Sequence, residues 1–157
     1  MRLALYQPDI PQNTGTILRM SACLGVPVDL IGPAGFDTSE RAFRRAGMDY
    51  LDAVNMTRHV SWEAFETARR AAGHRLVLLT AHAKAPYTAH VFQMSDTLLL
   101  GRESAGVPQQ VTEAADVRLT IPMRPGLRSL NVAVAGAMVV GEALRQLGPS
   151  ISEGVTT

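Results

Sequence analysis

The chain carries a single cysteine, Cys23, and a single lysine, Lys84. One thiol excludes an intrachain disulfide and suits a reducing compartment. No apolar run reaches the roughly 20 residues that span a bilayer. No charged leader with an apolar core precedes the first strand-like run, so no secretory signal is expected and the protein is expected to be cytoplasmic. Several nucleotide and nucleophile motifs are also missing. No G-x-G-x-x-G follows the first apolar run, no Walker glycines precede Lys84, and there is no G-x-S-x-G. These absences argue against a standard dinucleotide fold, a P-loop ATPase and an α/β-hydrolase. His59, His74, His82 and His90 are not spaced as metal ligands, so no metal site is expected.

What is present is an ordinary globular composition. The 157 residues are 46% hydrophobic and 18% charged, which is enough to bury one core and excludes a disordered chain. A single domain over residues 1–157 is expected, with about 149–157 as a disordered tail. Against the one lysine stand fourteen arginines, whose planar forks suit phosphate oxygens. A G+C-rich codon bias would produce the same count. Net charge of +1 does not by itself point to nucleic acid.

Periodicity predicts strands alternating with helices. Residues 2–7 (RLALYQ) read as a buried strand ended by Pro8 and Pro11. After Gln12-Asn13-Thr14-Gly15 comes a helical spacing of Ile17, Leu18, Met20, Ser21 and Leu24, closed by Gly25. Cys23 falls in that helix and is expected in the core. Residues 28–31 form a second strand. Ser39 caps a helix bearing Arg41, Arg44 and Arg45 and stopped by Gly47, and residues 51–56 read as a third strand. Ser61 caps a helix to Gly73 with Trp62, Phe65 and Ala68 or Arg69 in phase. Strands follow at 75–81, 96–100 and 117–121, with a loop over 82–93 and a helix over 108–115. The last element is the most apolar. From Leu130 to Val140 nearly every residue is apolar or small, with Ser129 as the expected N-cap, so this helix should be buried on most sides. This order predicts an α/β fold: a parallel sheet flanked by helices on both faces.

Three polar stretches, residues 13–19, 101–108 and 122–131, leave strand carboxyl ends. Ligands of open α/β sheets bind there, so the three are expected to make one pocket.

Within these stretches, N-T-G-x-x-x-R (Asn13, Gly15, Arg19), L-L-G-R-E-S-A-G-V-P (99–108) and I-P-M-x-x-x-x-R-S-L-N-V-A-V-A (121–135) resemble the three motifs of SPOUT-class RNA ribose 2′-O-methyltransferases. F-R-R-A-G-M-D-Y (43–50) resembles a signature of the TrmL subfamily, which methylates the tRNA wobble nucleotide. The resemblance covers about residues 1–148. It implies a C-terminal deep trefoil knot, an S-adenosylmethionine cofactor and a homodimer acting on tRNA. By position it places cofactor contacts at Leu79, Thr80, Gly101, Glu103, Ile121, Met123, Ser129 and Leu130. Gly101 is then expected to lack a Cβ because the ligand comes close.

The resemblance places catalytic roles at Arg19, Ser129 and Asn131. It gives Arg19 a part in deprotonating the ribose hydroxyl, but a guanidinium with a pKa above about 12 is a poor base. Arg19 is expected instead to stay charged, holding the target phosphate and the developing 2′-oxyanion. Arg19, Arg41, Arg44, Arg45 and Arg128 are the expected RNA phosphate contacts. The chain departs from the subfamily in two places: Gly141 stands where a Tyr precedes Glu142, and Pro125-Gly126-Leu127 replaces P-D-S. Two alternatives stay open, a related ribose methyltransferase with another tRNA or rRNA target, and an idle RNA-binding homodimer.

Overall fold

Alternate side chains of a buried strand point to opposite faces, and the first strand shows what those faces meet. In the computed structural model, which describes residues 1–45 and 50–148, β1 (Arg2–Tyr6) sends Leu3 and Leu5 into one apolar cluster and Ala4 and Tyr6 into another. The same division holds for β2 (Val28–Ile31), β4 (Arg75–Leu79) and β6 (Asp96–Leu100). These strands bury both faces, which accounts for their unbroken apolar sequences.

The other elements complete a seven-stranded sheet in the order β3-β2-β1-β6-β4-β7-β5, with every pairing parallel. Here β3 is Met56–His59, β5 Ala85–Pro86 and β7 Val117–Thr120. One face is covered by α1 (Pro11–Leu24), α2 (Glu40–Arg45) and α5 (Val132–Leu147), through Ile17, Leu18, Phe43, Val139, Val140 and Ala143. The other is covered by α3 (Trp62–Ala71) and α4 (Gln109–Ala114), through Trp62, Phe65 and Val111. The expected parallel sheet with helices on both faces is the observed architecture.

Helix ends follow local chemistry. Gly25 closes α1 at φ 65°, and Ser61 Oγ accepts from the Ala64 N–H at 3.2 Å to open α3. Ser39 Oγ likewise accepts from the Ala42 N–H at 3.2 Å. The Gly47 stop and half of the F-R-R-A-G-M-D-Y signature, residues 46–49, lie outside the described residues, as does the tail at 149–157.

Five expectations are corrected. Residues 51–56 are not a strand: Leu51–Ala53 is a 3-10 turn and the strand begins at Met56, pairing with Val28. The apolar Leu51 and Val54 pack onto the core from the connection, whereas β3 is an edge strand whose M-T-R-H sequence carries no apolar run. The loop expected over 82–93 contains the two-residue β5. Residues 13–19 are not a loop, because Pro11 occupies the first turn of a helix running on to Leu24. Cys23 is exposed, on the outward face of that helix. Ser129 does not cap α5. Asn131 does, its Oδ1 accepting from the N–H groups of Ala133 at 2.8 Å and Val134 at 3.3 Å. A cap must stand immediately before the first helical residue, and Ser129 is two residues too early.

Candidate active site

Where β4, β6 and β7 end, the chain leaves the sheet in three turns, and between them and the first turn of α1 lies a cavity of about 680 Å³. Leu79 and Thr80 from the end of β4 form one wall, and Gly101 and Glu103 from the turn after β6 a second. Ile121, Met123, Ser129 and Leu130, from the stretch after β7, form a third. Asn13, Asn131 and Arg128 stand on the same cavity, Arg128 in an exposed part of its rim.

Gly101 has a cause within the chain itself. The turn folds back on itself, Arg102 and Gly106 exchanging backbone hydrogen bonds of 2.9 and 2.8 Å. A Cβ on Gly101 would lie 2.8 Å from the Gly106 carbonyl carbon. The neighbouring backbone by itself requires glycine there.

The polar side chains form a continuous chain. Asn131 Nδ2 donates to Asn13 Oδ1 at 2.9 Å, and Asn13 Nδ2 donates to Glu103 Oε1 at 3.3 Å. Asp9 accepts from the Glu103 N–H at 3.1 Å and from the Ser104 hydroxyl. Hydrogen bonding to Glu103 and Ser104 pulls the Asp9 pKa down to about 2, while burial raises that of Glu103. Asp9, Arg102, His82 and Arg118 were not singled out in the sequence, though the last three line the cavity. Arg102, inside the G-R-E-S-A-G stretch, carried the clearest signal.

Four of the arginines lie elsewhere. Arg19 is exposed and off the cavity wall, its Nη2 donating to the Tyr50 hydroxyl at 3.4 Å and its guanidinium 4.8 Å from the centre of the Tyr50 ring. Arg41, Arg44 and Arg45 line a shallow groove on α2. Arg44 is held by Glu40 at 2.8 Å and Asp52 at 2.7 Å, so it is already neutralised within the chain.

A cavity lined by apolar and polar groups together, at the carboxyl ends of a parallel sheet, defines an α/β protein with a ligand site in the place where such sheets carry one. The chain belongs to the SpoU rRNA Methylase family, whose pattern matches residues 1–141. It is 63% identical over 146 residues to the tRNA (cytidine(34)-2′-O)-methyltransferase of Beijerinckia indica subsp. indica, covering 93% of this chain and 91% of that one. The Escherichia coli enzyme of the same name is 39% identical, with 94% of each chain covered. A solved structure described as giving insights into 2-OH methylation of C/U34 on tRNA superposes with a TM-score of 0.86 at 42% identity, over 93% of this chain and 95% of that one. The SpoU methyltransferase AviRb from Streptomyces viridochromogenes, in complex with AdoMet, superposes with a TM-score of 0.81 at 29% identity, over 94% and 57%.

Proposed function

We propose that this protein is an S-adenosylmethionine-dependent tRNA 2′-O-methyltransferase acting on the ribose of the wobble nucleotide, cytidine or uridine 34. It works as a cytoplasmic homodimer whose C-terminal segment is threaded as a deep trefoil knot, within one domain. The reading rests chiefly on one observation: the three motif stretches and the Asn13–Asn131 pair surround a single cavity, in a chain 63% identical to a relative of that name.

The cavity suits the cofactor. Leu79, Ile121, Met123 and Leu130 offer an apolar slot for a purine, and Thr80, Glu103 and Ser129 add polar groups at its edges. When bound, the cofactor supplies a methyl group on a positively charged sulfur. The residues of the chain have three tasks: to hold the ribose in line with that methyl, to exclude water and to stabilise the alkoxide as the hydroxyl loses its proton. Ser129 and Asn131 orient the sugar from the cavity rim. Arg19 stays charged, and its fork holds the target phosphate and the developing oxyanion.

Because Arg19 stands off its own cavity wall, a second copy has to bring one to each site. The outward face of α5 carries exposed Val134 and Met138 beside α1, an apolar surface suited to such a copy. Arg41, Arg45 and Arg128 then meet tRNA phosphates.

The test is to incubate the protein with tRNA and methyl-labelled cofactor and map the product by nuclease digestion and mass spectrometry. Methyl on ribose 34 is expected. Label at another nucleotide rejects the wobble assignment, and failure to bind the cofactor in calorimetry leaves only the idle RNA-binding reading.

A further inference from the structure

The contact between Asp9 and Glu103 joins the turn after β1 to the turn after β6. It is reciprocal: the Asp9 carboxylate accepts from the Glu103 N–H at 3.1 Å, and the Glu103 carboxylate accepts from the Asp9 N–H at 3.3 Å. The Ser104 hydroxyl also donates to Asp9. Arg102 Nε stands 3.7 Å from the same carboxylate. Gly35 leaves the space this needs, since a Cβ there would fall 2.9 Å from the Asp9 Cβ.

The direction of the amide chain follows from its two ends. The N–H groups of Ala133 and Val134 can only donate, so Asn131 turns its oxygen to the helix and its NH₂ to Asn13. Asn13 must then offer its oxygen to Asn131 and its NH₂ to Glu103, which has to accept. Burial favours a proton on Glu103, and a proton placed toward Asn13 would break the chain. The Asp9 N–H holds Glu103 Oε2 and the Asp9 carboxylate holds the Glu103 N–H, an arrangement that turns Oε1 to Asn13 as an acceptor.

We propose that Asp9 is a positioning residue of the methyl transfer. By fixing Glu103 it sets the orientation of the Asn13 and Asn131 amides at the cavity. The proposal builds on the methyltransferase reading but not on the identity of the nucleotide methylated.

The experiment compares Asp9→Asn and Asp9→Glu with the wild type. Asp9→Asn should lower kcat at least tenfold, with KM for tRNA and for cofactor within threefold, and Asp9→Glu should recover most of the loss. In ¹H–¹⁵N spectra of the free protein, the side-chain amide signals of Asn13 and Asn131 should move in Asp9→Asn. A kcat within twofold of wild type, or unmoved amide signals, overturns the proposal. If Asp9→Asn does not fold, Ser104→Ala removes only the hydroxyl donor, and the same two signals must move. A wild type that methylates another nucleotide refutes the wobble reading alone, because kcat is then compared on that RNA and the spectra need no substrate.

Discussion

Glycines 101 and 136 both sit where a side chain would collide, but the two collisions differ in kind. At Gly101 the obstacle is the Gly106 backbone, 2.8 Å away, which is fixed by the paired hydrogen bonds of the turn. At Gly136 it is Leu100 Cδ1 at 2.9 Å, the terminal methyl of a side chain rather than backbone. Gly101→Ala should therefore distort the cavity wall, costing about 1–3 kcal/mol and weakening cofactor binding at least tenfold. Gly136→Ala should cost less and leave binding within threefold, with calorimetry and thermal denaturation separating the two. Glu103 gives a second prediction, in pH. Its folded pKa lies above the ordinary 4.5, so the folded state binds more protons than the unfolded one between those two values, and stability falls as pH rises through that window. Glu103→Gln removes the titration and still offers an oxygen to Asn13. Thermal melts should show the variant gaining on the wild type as pH rises from about 4.5, with a constant difference above the window. Parallel curves throughout would mean that Glu103 is not held in its acid form.

Among the elements, α5 carries the most weight, because it covers the sheet beneath Leu100 and presents its first turn to the cavity. Gly141 lies on its exposed side with nothing within 4 Å of an added Cβ. Gly141→Ala should stabilise the protein by about 1 kcal/mol, raising the melting temperature by about 2–4 °C without altering cofactor binding. Five of the strands, β1, β2, β4, β6 and β7, were legible because their apolar runs are bounded by turn residues. The boundaries failed where apolar content and strand pairing part company, as at Leu51 and Val54, which are buried from a connection. The two-residue β5 has too little sequence to carry a pattern. The first turn of α1 was hidden by Asn13-Thr14-Gly15, a run that usually marks a loop but here follows a helix-starting Pro11. The cavity lining could be read from three motif stretches, but the Asp9–Glu103 contact could not, since it joins residues 94 apart. The displacement of Arg19 onto Tyr50 is likewise a matter of helix phase and tertiary contact, which spacing alone does not reveal.

At the scale of the whole molecule, the proposed homodimer would account for two features together: Arg19, which stands off its own cavity wall, and the uncovered apolar stripe of α5. Val134 is 51% exposed and Met138 39%, one turn apart on α5, with exposed Leu130 just before the helix begins. A charge on that stripe is harmless to a monomer, whose core it never touches, but costly when buried against a like surface. The double variant Val134→Glu and Met138→Glu should keep its circular dichroism and sediment as one chain of 16.9 kDa, and the wild type should sediment as two. Methyl transfer should fall at least a hundredfold, while binding of the cofactor to the isolated cavity falls much less, because only Arg19 and the combined RNA surface are lost. Adding an Arg19→Ala protein to a second protein with a damaged cavity, such as Gly101→Ala, should restore part of the activity. In the mixed dimer, one site pairs an intact cavity with an intact arginine. Full activity in the monomeric double variant would place Arg19 in its own chain's site and remove the reason for the dimer.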